Sequence, residues 1–535
     1  MATLLGPAGS IASVAAGQRR RWADTDGGPM SQSGRDRAVN VTDGALLKPL
    51  VILSLPIVLT NLLQVGYNLA DTFWVGRLGQ PAVSALSFSW AIVFLVISLS
   101  LGFSIAGTVL VAQNKGAGNT GRVGHVAGQT ISLVVAVSML FSVFGYLLAP
   151  TLLQLVGAVP GTTEYGMAID YTRTMFLGIP FVFSFFVFQS LLQGWGDTRT
   201  PLYLMALGVG LNVIADPFFI LGFQDNVLFA WVGLESLEAT LFGLTGFTGF
   251  GVQGAAIATI LTRGIGAVIG IWLLLSGRVG IELSRPDFLP ERETITKLVR
   301  IGAPASLEVS TKALSVTILT ALVAITSVEA VAAYGIGTRV TSMVVLPALG
   351  LARGVETVVG QNLGANQRDR AVAGVRAAIG LVVAAFALLS VVVYVFAGPV
   401  IDLFVTGTGS ATVIAVGEAY LRIVGVTYLF LGVFYVIQGG FRGSGRTRLA
   451  LLFAFFGYIV LRSLIAYLFA VPLGWGATGI WYGEAASNVL MAAAVGAYFL
   501  GGAWTGRVVA DDTAAGGSTP TETADRPSEP SSDTD

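Results

Sequence analysis

Apolar residues fall along the chain in long blocks, broken at intervals by short clusters of polar, glycine and basic residues. A helix needs about 20 apolar residues to cross the hydrocarbon core of a bilayer. Twelve blocks meet that length, at 49–74, 82–112, 123–147, 166–192, 201–222, 251–276, 297–325, 331–359, 371–397, 414–440, 449–470 and 476–502. The pattern predicts an all-α polytopic membrane protein with twelve transmembrane helices. Residues 1–46 and 503–535 are expected to be disordered tails, the second rich in Asp, Glu, Ser, Thr and Pro. Residues 47–276 carry spans one to six, 277–296 form a linker, and 297–502 carry spans seven to twelve. Among connections on the outer side only 223–250 is long, with room for a short amphipathic helix around Phe229–Phe242.

Charge then orients the blocks. Arg35, Arg37, Lys48, Lys115, Arg122, Arg199, Arg278, Arg285, Arg292, Lys297, Arg368, Arg370, Arg376, Arg442, Arg446 and Arg448 fall on the side of the termini. The opposite connections hold Arg77 and otherwise acids such as Glu164, Asp225, Glu235, Glu238, Asp402 and Glu418. The positive-inside rule puts both termini and the linker in the cytoplasm of a plasma-membrane protein. The arginines at 19–21 follow the apolar stretch 4–16 rather than precede it, unlike a signal peptide. Asn40-Val41-Thr42 is a glycosylation sequon on the cytoplasmic side, and it is discounted for that reason.

Composition narrows the chemistry. Hydrophobic residues make up 54% and charged residues only 11%, against roughly 25% charged in soluble domains. There is no cysteine and one histidine, His125, which excludes thiolate catalysis and H-E-x-x-H zinc sites. No phosphate loop and no D-D-x-x-D run occurs, against an ATP-driven pump and a membrane prenyltransferase. No enzymatic activity, cofactor or nucleic-acid partner is expected. The partners are the bilayer and small organic substrates, and the chain is expected to work as a monomer.

The two halves repeat. At an offset of 248, Pro56 falls on Pro304, Gly102 on Gly350, and Gln113, Asn114, Gly116 and Ala117 on Gln361, Asn362, Gly364 and Ala365. From the fourth span the offset is 249, matching Tyr171 to Tyr420, Gln189 to Gln438 and Gly194 to Gly443. By the sixth it is 225, with Gly254 on Gly479. Six spans per half return each half to its starting side, so the repeats are parallel. Such repeats form two six-helix lobes around a central cleft.

Acids inside spans are costly and ask for a reason. Asp71 ends the first span with Tyr67 one turn earlier, where its hydroxyl can bond the carboxylate. Asp216 follows Asn212 by one turn, and Pro217 leaves the Val213 carbonyl without a helix partner. These oxygens suit a sodium ion, or a proton on the aspartate. The plainer readings are an acid snorkelling to the interface and a helix-breaking Asp-Pro. The second half has no matching acids, since Leu319 and Ile465 stand there. It has Glu308, Lys312, Arg353, Glu356, Arg462 and Glu484 instead. Glu308 and Lys312 are spaced for an intrahelical ion pair, as are Arg353 and Glu356; alternatively Glu308 binds a cation. Phe176, Phe181, Phe183, Phe185, Phe186 and Phe188 crowd the fourth span and are expected to face mostly lipid, with one or two toward the cleft. His125 is given no function.

Several stretches together resemble one family. They are Leu55-Pro56 with Tyr67-Asn68-Leu69-Ala70-Asp71-Thr72-Phe73-Trp74-Val75-Gly76, the Gln-Asn-x-Gly-Ala runs at 113 and 361, Gly194-Trp195-Gly196-Asp197-Thr198-Arg199, Asn212–Pro217 and Gly254–Thr259. The chain resembles the multidrug and toxic compound extrusion (MATE) family, in its prokaryotic DNA-damage-inducible branch, over about 47–502. The resemblance implies a V-shaped two-lobe fold and antiport of organic, often cationic, compounds against H⁺ or Na⁺. It implies that Asp71, Asp216, Asn212, Tyr67, Tyr171, Gln189 and Thr259 line the first lobe's cavity, although asparagine is more usual at the Gln189 position. Asp71, Asp216, Asn212, Tyr67 and Thr259 are thus the cation-coupling candidates, with sodium possible at the first three. Tyr171, Gln189, Glu308 and Glu356 are the cavity candidates. An acidic cavity favours cationic cargo; the rival reading is a lipid-linked oligosaccharide flippase of the same superfamily.

Overall fold

Helices α1 to α12 cross between two faces: Leu47–Gly76, Gln80–Gly116, Thr120–Leu155, Thr163–Trp195, Arg199–Leu221, Val252–Leu275, Arg292–Ala324, Val328–Gly364, Arg368–Val395, a broken pair Ser410–Gly425 and Tyr428–Gly443, Thr447–Ala470, and Gly476–Leu500. The computed structural model describes residues 38–405, 410–506 and 508–509. The expected continuous span at 414–440 is the broken pair α10, bent by 51°. Gly425 ends its first piece and the Thr427 N–H turns back to the Val424 carbonyl at 2.9 Å. A wider π turn interrupts α11 at Phe455–Leu461. There the Tyr458 carbonyl accepts from Ser315 of α7 at 3.0 Å, the outside partner such a turn invites.

Helices α1 to α6 form one lobe and α7 to α12 the other. The lobes meet where α2 packs on α7 and α8, and α8 on α1. Glycines that repeat between the halves mark this seam. A methyl group on Gly116 would sit 1.9 Å from the Gln361 carbonyl oxygen, and one on Gly364 2.0 Å from that of Gln113. On the same pattern Gly102 meets Ser306 and Gly350 meets Val58. The glutamines then cross the seam in opposite directions. Gln113 donates to the Gly443 carbonyl at 3.1 Å, and Gln361 to the Gly194 carbonyl at 3.0 Å. Both bonds lie at the face carrying the described ends of the chain, called the terminal face below.

Those ends are less free than expected. Residues 1–37, and those of 503–535 other than 503–506 and 508–509, lie outside the described residues. Val41, however, is fully buried, and its carbonyl accepts from Asn362 at 3.1 Å and Arg370 at 3.2 Å. Trp504 is fully buried against Phe499 and Phe441. Val508 and Val509 donate their N–H groups to Gln113 Oε1. His125 straps α3 to the linker through Glu291 at 2.6 Å and Asp287 at 3.6 Å.

The phenylalanines of α4 overturn the lipid-facing expectation. Phe176, Phe183, Phe185 and Phe188 are buried; Phe181 is exposed. In its most apolar stretch 83% of α4 is buried, against 28% of α3. Helix α4 is the axis of the first lobe, wrapped by α2, α3 and α6.

The long connection holds two helices, Val227–Val232 and Glu235–Thr245, rather than one. Gly233, at φ 69°, takes the left-handed conformation that ends the first. Trp231 packs on Phe73 and Trp74 at the end of α1. Asn226 donates to the carbonyls of Pro217 at 2.9 Å and Gly222 at 2.7 Å, closing the end of α5.

Candidate functional site

Pro217 sits inside α5, so the helix continues through it with one backbone bond fewer. One turn earlier the Asn212 amide donates to Asp216 Oδ1 at 2.9 Å. Both side chains are fully buried. Helix α1 brings Asp71 alongside, near enough for its carboxyl to feel both Asp216 and Asn212. Tyr67 does not bond Asp71 directly, as its spacing led one to expect. Its hydroxyl donates to Thr259 Oγ1 of α6 at 2.7 Å, and the Thr259 hydroxyl reaches Asp71 Oδ2 at 3.5 Å. A two-step hydroxyl chain replaces the single bond because α6 inserts Thr259 between them.

Three oxygens in this group are buried without a hydrogen-bond partner: Asp71 Oδ1, Asn212 Oδ1 and Asp216 Oδ2. Buried polar atoms in native structures are almost always satisfied. Two neighbouring buried carboxyls repel unless a proton or a cation lies between them. The chemistry open to this centre is therefore the binding and release of a small positive charge.

The centre forms part of the wall of a narrow cleft of about 60 Å³, well below the roughly 300–1,000 Å³ usual for small-molecule sites. Tyr67, Asp71, Tyr171 and Thr259 line it, with Trp90 and Phe186. Asn212 and Asp216 stand behind Asp71. Gln189 is buried and its Nε2 lacks a partner, but it is not part of this wall. Phe186 is the α4 phenylalanine that faces the cleft.

Glu308 and Glu356 are not on this wall either. Glu308 pairs with Arg442 at 2.6 Å instead of Lys312, whose ammonium lies 5.5 Å over the Tyr435 ring. Arg442 also binds Glu356, which takes Arg353 at 3.2 Å as its spacing predicts. Arg442 is thus a buried network residue, not a residue of a basic connection. Its place at the end of α10, beside α7 and α8, makes the interhelical pair available.

Sequence reasoning missed several wall residues, Trp90 and the one charged residue among them, Arg263. It lies within α6, is only 6% exposed and lines the cleft. One Nη donates to Gln64 Oε1 and the other to Met205 Sδ at 3.1 Å. Its guanidinium lies 4.8 Å over Tyr67, 5.0 Å over Phe185 and 5.8 Å over Phe186. The cleft is therefore not simply acidic. The signal was a lone arginine deep in the apolar block 251–276.

The chain matches the MatE family profile over residues 56–218 and 304–468, one match in each lobe. It is 28% identical over 475 residues to the probable multidrug resistance protein YpnP of Bacillus subtilis, covering 88% of this chain and 98% of that one. It is 26% identical over 462 residues to the probable multidrug resistance protein NorM of Thermotoga maritima, covering 86% and 94%. Among solved structures, an outward-facing multidrug resistance MATE family transporter of the MOP superfamily superposes with TM-score 0.76 at 25% identity, covering 87% of this chain and 97% of that one. With a match in both lobes and near-complete coverage of these relatives, the chain belongs to the MatE family of multi-pass membrane transporters associated with multidrug resistance.

Proposed function

We propose that the protein is a secondary antiporter in which inward flow of H⁺ or Na⁺ drives outward movement of an organic compound. The three unpartnered oxygens of Asp71, Asn212 and Asp216 carry this reading, because they form a buried site for one small positive charge beside the cleft that Asp71 lines. Oxygen-only donors accept either ion. Loading the site cancels one of the two negative charges, and releasing it restores their mutual repulsion. The two states thus differ in how tightly α1 is held against α5. The relatives' names support an organic cargo. We assign the terminal face to the cytoplasm, since Lys115, Arg122, Arg199, Arg368 and Arg446 gather there. We assign the protein to the plasma membrane, acting as a monomer.

The test is transport in vesicles with Asp71→Asn and Asp216→Asn. Each variant is expected to lose gradient-driven export. Export at wild-type rate by both under an imposed gradient would end the coupling assignment. The same vesicles under a proton gradient alone, then a sodium gradient alone, identify the ion.

A further inference from the structure

We propose that the second lobe seats one lipid acyl chain, from the leaflet opposite the terminal face, in an apolar groove between the break of α10 and helix α12.

The groove has a volume of about 540 Å³, within the roughly 300–1,000 Å³ usual for small-molecule sites. Trp475, Thr478, Tyr482, Ala485 and Val489 line it along α12, and Thr427 lines it at the break of α10. The five residues are spaced alternately three and four apart, the stripe that ordinarily receives side chains of a neighbouring helix. Here the stripe borders open space. Among the described residues no charged side chain lines the groove. The Thr427 hydroxyl is already engaged, donating to the Val424 carbonyl at 2.7 Å and accepting from Asn488 at 3.0 Å. Such a groove recognises by shape and dispersion.

The repeat shows that the first lobe fills the matching place. Thr427 falls on Gly178, Ala485 on Ile260 and Ala486 on Leu261. A methyl group on Gly178 would sit 2.1 Å from the Ile260 side chain, so Ile260 covers that spot directly. In α12 both large aliphatic side chains have become alanine, and the groove opens over them.

Its position names the occupant. These residues belong to membrane spans, where lipid is the surrounding solvent. Trp475 precedes α12 at the face opposite the terminal one, and its ring packs on Phe469 at 5.2 Å. From there to Val489 a helix rises about 21 Å. Half a bilayer, headgroups included, is about 20–22 Å thick. The groove therefore runs from the headgroup level, where Trp and Tyr are favoured, to the bilayer midplane. That is the depth one acyl chain spans.

The test uses the purified full chain in phosphatidylglycerol vesicles containing a phosphatidylcholine with a photoreactive diazirine on its acyl chain. After illumination, peptide mass spectrometry locates the adducts. Thr427, Tyr482 and Val489 are expected to take about fivefold more label per residue than Leu388 and Val391, the scale given by about ten extra carbon–carbon contacts. Those two lie on α9 in the same leaflet, 69% and 60% exposed. Equal labelling of the two sets in the wild type overturns the proposal, since an ordinary lipid-facing surface predicts it. Labelling of the groove below that of α9 also overturns it, in favour of a protein surface, such as a second copy of the chain, lying over the groove. Ala486→Leu restores the first lobe's residue and is expected to bring groove labelling down to the α9 level, with α9 itself unchanged. A groove excess that survives this substitution overturns the proposal as well.

Discussion

The two lobes share a scaffold and invert its polarity. In the first lobe the acids Asp71 and Asp216 come from α1 and α5, and the arginine, Arg263, from α6. In the second, Arg462 comes from α11 and the acid, Glu484, from α12. The repeat lays Thr259 on Glu484 and Arg263 on Asn488, while Asp216 falls on Ile465. The difference is one of neutralisation. Arg462 has Glu484, Ser487 and Asn488, with the ring of Tyr458 at 4.7 Å. In the first lobe the acids and the arginine form no ion pair among the described residues, and Arg263 donates to Gln64 and Met205 instead. A closed ion pair holds helices together; an open one leaves charge for a passing ion or ligand.

The strongest way to break this contrast is to remove one acid from each lobe and compare stability. Glu484→Leu leaves Arg462 buried without an anion. Breaking a buried pair in this way costs about 3–5 kcal/mol. Asp216→Asn loses no counter-ion, because among the described residues its carboxyl accepts from the neutral Asn212 amide, and it is expected to stay within about 1 kcal/mol of wild type. Thermal unfolding of the detergent-purified variants measures both. Equal destabilisation would mean that the first-lobe acids are as structural as Glu484.

A smaller effect is expected at the seam. Gly116→Ala and Gly364→Ala each drive a methyl into a backbone carbonyl of the opposite lobe, and overpacking of this kind costs about 1–3 kcal/mol. The lobes relieve the clash by parting at the terminal face, which weakens the Gln113 and Gln361 bonds together. The natural chain has no cysteine, so Ser306→Cys, at 1% exposure in the seam, is a clean reporter. Its labelling rate with a water-soluble maleimide is expected to rise in either alanine variant. Unchanged labelling would mean that the glycines serve each helix and not the contact between lobes. The two variants test symmetry as well. Gln113 also holds the N–H groups of Val508 and Val509, so disturbing it releases more than disturbing Gln361 does.

These contrasts explain what was readable beforehand. The helices were legible because a bilayer permits few spanning structures and marks each with length and hydropathy. The seam glycines were legible because both halves need the same close approach. Asp71 and Asp216 stood out as acids in apolar blocks. Which way an apolar side chain faces was not legible. Lipid and protein interior are equally apolar, so Phe183 inside α4 reads the same as Phe181 outside it. The Glu308–Lys312 pairing failed for a related reason. Spacing finds partners on one helix, and Arg442 arrives from a helix more than a hundred residues away. Arg263 was missed because attention to acids alone assumed one sign for the cleft.

The gentlest test lies outside the membrane, where the linker joins the lobes. Glu291 accepts from the Thr294 hydroxyl at 2.6 Å and pairs with His125 at 2.6 Å. These bonds hold its carboxyl below the usual carboxylate range. A group with a depressed folded value adds stability above its unfolded value and loses it as pH falls through the folded one. The strap is therefore at full strength from neutral pH down to the ordinary glutamate range, near 4.5, and weakens below it. Glu291 is exposed to solvent, so the contribution is under about 1 kcal/mol and shrinks with salt. Comparing wild type with Glu291→Gln by thermal unfolding reads it. The difference between the two is expected to be small at neutral pH and to vanish in acid. If it persists unchanged well below pH 4.5, the strap acts through packing rather than charge, and the lobes are joined here as they are within the second lobe, by contacts indifferent to the surrounding water.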